Sequence, residues 1–177
     1  LAIGAPRLGE AGQPEAALQD FQAALEYPVN LGVDRPLHDP PAARTHLLIA
    51  QVQNALGHSE AAKAALDEAA AIDVGGTKYR YHKGRALEQL GRTEDARALF
   101  DALAKDGQAQ LDRGGAVDFF MKFGEQQAHG QRMARAHSLA GLGALGKGDA
   151  AAARQHFEDA LDADPNHLWA RVRLEAL

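Results

Sequence analysis

The stretch LGRTEDARALFDAL at residues 90–103 decides how this chain is read, because its plan returns three more times. The other copies are LGEAGQPEAALQDFQAAL at 8–25, LGHSEAAKAALDEAA at 56–70 and LGKGDAAAARQHFEDAL at 145–161. Each has an apolar helix end, a breaking glycine, a few polar residues and then small and large apolar residues at helical spacing. With the breakers at Gly12, Gly57, Gly91 and Gly148, the position five residues later is Ala17, Ala62, Ala96 or Ala153. Four further on stand Phe21, Leu66, Phe100 and Phe157, and three beyond those Ala24, Ala69, Leu103 and Ala160. A small residue at a helix crossing lets two backbones approach, and a large one a turn later fills the space beside it. Glycine ends a helix where the chain must reverse.

This register resembles the tetratricopeptide repeat, whose antiparallel helix pairs of about 34 residues stack into a right-handed superhelix. The interval from Gly57 to Gly91 is 34 residues, whereas those on either side are 45 and 57. The resemblance implies an all-α, helix-pair solenoid of about 8 to 10 helices, forming a single helical-repeat domain over the whole chain. Its expected units are 1–28, 42–73, 77–106 and 131–164, with an insertion at 109–130 and a capping helix at 166–177.

Composition agrees with helix and narrows the chemistry. Alanine and leucine dominate over the β-branched residues that favour sheets. There is no cysteine, so disulfides, thiolate metal sites and a cysteine nucleophile are excluded. A net charge of −5 argues against general nucleic-acid binding. No stretch approaches the roughly 20 apolar residues that cross a bilayer. A cytoplasmic location is expected, and the start without Met, partway into a leading helix, points to a segment of a longer protein.

Two departures from regularity stand out along the chain. The segment EYPVNLGVDRPLHDPP at 26–41 carries four prolines and reads as a surface connection. Between the third and fourth units lie 23 residues more than a repeat requires, and VDFFMKF at 117–123 holds three of the six phenylalanines. Leu111 continues the preceding apolar face, Gly114–Gly115 breaks it, and an apolar stripe of Ser138, Leu139, Leu142 and Leu145 is expected to be covered either by Phe119, Phe120 or Phe123 or by an apolar side chain of a partner. Pro14 suits a first helical turn. Ser59, Thr77, Thr93 and either Asp164 or Asn166 are the expected helix caps. Leu168, Trp169, Val172 and Leu177 are expected to pack the last helix onto the pair before it.

From about residue 40 onward the chain also resembles the C-terminal repeat region of large bacterial proteins of the DUF5107 group. The resemblance rests on VDFFMKFGE and on HFEDALDADPNHLWA at 156–170. Relatives of that type carry a carbohydrate-enzyme-like domain upstream, and nothing of its chemistry transfers to a residue of this chain.

The leading helix of each pair supplies the inward surface of such an array. The expected partner-binding groove therefore comprises Arg44, Gln51, Lys78, Tyr81, His82, Arg85 and Gln89. Lys78, Arg80, Lys83, Arg85 and Arg92 face only Glu88 locally, which reads either as an anion or acidic-peptide site or as a solvated helix paired with Glu94, Asp95, Asp101 and Asp106. Some arrays of the family clamp a peptide carboxylate. Only the basic part of that clamp is matched here, at Lys78 and Arg85, because Leu47, Gln51 and Tyr81 occupy the neighbouring positions.

The eight histidines contain no HxxxH pair, and His129 and His137 share a helix face only if their helix starts early. No metal, cofactor or catalytic residue is expected. His156 and His167 read as residues that dress helix ends or sit where an adjacent domain would pack, and GLGALGKGD at 141–149 reads as glycines for close packing and reversal. The function expected is a noncatalytic scaffold for protein–protein or interdomain contacts, with a homodimer as a further assembly. The alternative is an accessory or dimerisation region of a larger carbohydrate-active enzyme.

Overall fold

A computed structural model describes residues 14–26, 39–114 and 123–177. All regular structure among them is α-helical: α1 (Pro14–Ala23), α2 (Ala42–Ala55), α3 (Ser59–Ala71), α4 (Arg80–Gln89), α5 (Thr93–Gly114), α6 (Phe123–Gly146), α7 (Ala150–Ala163) and α8 (Leu168–Glu175). The expected helix over residues 1–9, the proline-rich stretch 27–38, and Phe119 and Phe120 lie outside the described residues. The helices divide into two compact units that meet in the chain at Ala96 and Arg97, within α5.

The breaking glycines set the reversals. Gly91 has a φ of +77°, in the left-handed region that L residues with a side chain seldom adopt. Its N–H donates to the Glu88 carbonyl at 3.0 Å, and the Arg92 N–H donates to the Leu87 carbonyl at 2.8 Å. These two bonds satisfy carbonyls that the end of α4 would leave orphaned. The same pair of bonds recurs at Gly57 and Gly148, with φ of +79° and +83°. A Cβ at any of the three would meet nothing within 4 Å, so backbone conformation and not space demands glycine there.

Each turn is so short that the residue after the glycine already starts the next helix. The carbonyls of His58, Arg92 and Asp149 accept from Ala62, Ala96 and Ala153. Ser59 and Thr93 are consequently first helical residues rather than caps, one position past the place expected for them. Asp149 does cap, its side chain accepting from the Ala152 N–H at 2.9 Å. Thr77 closes the turn ahead of α4, donating to the Val74 carbonyl at 2.7 Å and accepting from the Tyr79 N–H at 3.3 Å. At α8 the cap is His167, whose Nδ1 accepts from Ala170, while Asp164 holds only the Asn166 N–H in the preceding turn.

In the first unit α2 and α3 form an antiparallel pair, α4 packs beside both, and α1 lies on α2. Leu47, Ile49, Ala50, Ala65, Leu66, Ala69 and Ala86 make the core, with Leu18, Phe21, Leu25 and Leu90 against its edge. Ala62 and Leu66 are buried, but their counterparts Ala17 and Phe21 are only half-buried, on a helix that packs chiefly against α2.

In the second unit the landmark rings meet glycines. A Cβ on Gly141 would strike the Phe157 ring, and one on Gly146 would strike the Phe100 ring. At Gly143 it would lie 2.8 Å from both the Ala104 Cβ and the Phe100 carbonyl oxygen. Bare backbone on α6 thus admits α5 on one side and α7 on the other. Phe100 and Phe157 are fully buried, as are Ala96 and Ala153.

The insertion is shorter than the sequence suggests. Gly107 does not break α5, since it lies where α5 approaches Ala136 and Ala140 of α6, and the helix continues to Gly114. Helix α6 begins eight residues ahead of the expected 131, at Phe123. Helix α8 turns the small Ala170 inward against α7, so Leu168 and Val172, one turn apart, remain 66% and 49% exposed instead of packing onto the preceding pair.

Replacing Gly91 with Ala is expected to cost about 1–2 kcal/mol, from the left-handed backbone alone. Gly91→Asn is expected to recover part of that loss. Phe157→Ala is expected to cost about 3–5 kcal/mol, as a cavity next to bare backbone has no side chain to collapse into it. Urea unfolding followed by far-UV circular dichroism measures all three.

Candidate functional site

The leading helices of the first unit, α2 and α4, are neighbours. Arg44 is exposed on α2, and Gln51, seven residues on, lies on the same helix face and is half-buried. The Gln51 Oε1 is shut off from solvent with no hydrogen-bond partner. On α4, Arg85 is half-buried and Gln89, one turn later, is exposed. Lys78 precedes the helix with its Nζ 5.6 Å from the centre of the Tyr79 ring.

Tyr81 and His82 belong inside. Both are buried, at 3% and 4% exposure, with their rings edge to face at 5.5 Å between centroids. Their place in the expected groove is therefore taken away: on a ten-residue helix lying against both α2 and α3, these two rings fall on the packed face.

The basic run of α4 is spent locally. Arg80 donates through Nε to the Gly75 carbonyl at 2.6 Å, and Lys83 through Nζ to the Ile72 carbonyl at 2.8 Å. Lys83 thus sits at the C-terminal end of α3, where exposed carbonyls and the helix dipole favour positive charge, and Arg80 holds the turn that follows. Arg85 pairs with Glu88 at 3.3 Å, and Arg92 with Asp95 at 2.7 Å. The charge excess in the sequence is answered by backbone carbonyls and by near neighbours in the chain.

The second unit contains a cluster that the sequence does not announce. His137 on α6 and His156 on α7 face each other with Nδ1 atoms 3.3 Å apart, and the Asp159 Oδ2 lies 3.6 Å from the His137 Nδ1. The other Asp159 oxygen accepts from the Gln155 Nε2 at 2.9 Å. Burial holds the His137 imidazole below its ordinary pKa; the Asp159 charge opposes this shift and His156 adds to it. His156 therefore does not dress a helix end, since it lies within α7. The early start of α6 does bring His129 and His137 onto one helix, but His129 is buried and the neighbours of His137 come from α7. The His156 and Asp159 spacing of three residues marks one helix face. No sequence signal couples it to His137, which stands 19 residues upstream of His156.

Among the described residues, no helix is long and apolar enough to cross a membrane. No curated protein and no solved structure matches the chain. Two family models do, each described as the tetratricopeptide repeat: one over residues 47–112 and one over 134–167, together more than half of the 177 residues. The turns at Gly57, Gly91 and Gly148 all fall inside the matched stretches, and the chain belongs to the tetratricopeptide-repeat family.

Proposed function

We propose that the chain is a noncatalytic scaffold that holds a protein partner, or an adjacent domain of its parent protein, on the leading helices α2 and α4. Tetratricopeptide repeats generally mediate protein–protein contacts, and this supports the class of function. The observation that carries the assignment to these helices is their polar surface. Arg44, Gln51, Lys78, Arg85 and Gln89 stay outside the apolar core although α2 and α4 are packed side by side. Arginine offers directed, planar hydrogen bonding to carboxylates and carbonyls. The buried, unanswered Gln51 oxygen is an acceptor whose neglect costs about 1–3 kcal/mol, and a small shift of its side chain in a complex would relieve it. Tyr81 and His82 act beneath this surface, holding α4 in place.

A kinship with the repeat region of DUF5107-type proteins, and the bacterial source it implies, belong to the same proposal and are supported by VDFFMKFGE and HFEDALDADPNHLWA; a cytoplasmic setting is proposed with them. A homodimer is the further assembly proposed.

Affinity capture from an extract of the source cells is expected to retain a protein that the triple variant R44A/R85A/Q89A captures at least tenfold less, with helical circular dichroism unchanged. Lys83→Met supplies the control. It removes a cation from the end of α3, lowers stability by about 1 kcal/mol, and leaves capture intact. Equal capture by the wild type and the triple variant would contradict the assignment.

A further inference from the structure

The geometry points to a divalent transition-metal site, with zinc as its occupant, formed by His137 of α6 and His156 and Asp159 of α7. The three donor atoms all lie within 4.8 Å of one another. The contacts of the His137 Nδ1 are longer than the usual hydrogen bond. Hydrogen bonds to nitrogen and oxygen centre on about 2.9–3.0 Å, whereas the two contacts of the His137 Nδ1 are 3.3 and 3.6 Å. A tetrahedral ion with bonds of about 2.0–2.1 Å holds its ligands about 3.3–3.4 Å apart along each edge. Both separations from the His137 Nδ1 are close to that edge.

The chemistry of the set agrees with the spacing. Two imidazoles and a carboxylate suit zinc and its neighbours in the first transition row, and leave hard ions such as magnesium poorly served. A ligating imidazole must be neutral, and the burial of His137 favours that form. The Gln155 amide donates to one Asp159 oxygen and leaves the other directed at His137, which is the kind of outer hydrogen bond that fixes a ligating carboxylate. Three protein ligands leave a fourth position for water. Because the ligands come from two helices of one pair, the ion would tie α6 to α7.

Titration of the tag-free chain with Zn²⁺ by calorimetry, with Co²⁺ as a spectroscopic substitute, tests the site. Saturable binding of one ion per chain is expected, with the visible absorption of tetrahedral Co²⁺ and an unfolding temperature that rises with Zn²⁺ and falls back on chelation. His156→Asn and Asp159→Asn are expected to weaken binding at least tenfold, and His58→Asn, at an exposed histidine on α3's approach, to leave it unchanged. Asp159→Asn keeps the shape of the side chain, so it decides the matter if His156→Asn does not fold. Absence of saturable binding, retention of full affinity by Asp159→Asn, or an equal loss in His58→Asn would overturn the site.

Discussion

Helix α6 lies against both of its neighbours because its own glycines leave room for two phenylalanine rings. Phe100 arrives from α5 onto Gly146, with its carbonyl and Ala104 against Gly143, and Phe157 arrives from α7 onto Gly141. Any side chain at these glycines would push a neighbouring helix away, and close packing transmits such a displacement instead of absorbing it. The cost is conformational, since three glycines within six residues weaken a helix by about 1 kcal/mol each relative to alanine. Burial of both rings and of the alanines around them offsets that loss. The intrinsic weakness of α6 is thus tolerated for the contacts it allows.

Reversal of the chain is governed separately, by positive φ at Gly57, Gly91 and Gly148. These turns contribute no packing, as nothing lies near the missing Cβ. Their role is to let one residue end a helix and the next begin another, keeping the two antiparallel helices in contact from their first turn. Two kinds of glycine therefore coexist in GLGALGKGD at 141–149: the first three provide close approach and the last provides a left-handed backbone.

Much of this was legible in the sequence because it repeats. The Gly, Ala and Phe positions recur at fixed offsets, and periodicity of that kind reports helix faces directly. Where reasoning from sequence failed, the deciding contact was tertiary. The third unit was expected to end at 106, yet α5 runs on to Gly114, with α6 close against it at Gly107. Tyr81 and His82 shared a helix with surface cations, and only the position of α2 and α3 turned them inward. The positive charge of α4 is answered by the Gly75 and Ile72 carbonyls, which no charge count includes. His137 met His156 and Asp159 through the pairing of α6 with α7, invisible to any search for ligands spaced along one helix.

The repeats supply a rigid frame, and the individuality of the protein lies in what the frame leaves over: polar residues on α2 and α4, and a histidine–aspartate cluster within the last pair. Both depend on helices held at close range. Nuclear magnetic resonance of the intact chain tests that most directly, through the α-protons of Gly141 and Gly146. The account predicts upfield ring-current shifts for both, with nuclear Overhauser contacts to the ring protons of Phe157 and Phe100 respectively. Ordinary glycine shifts without those contacts would contradict it.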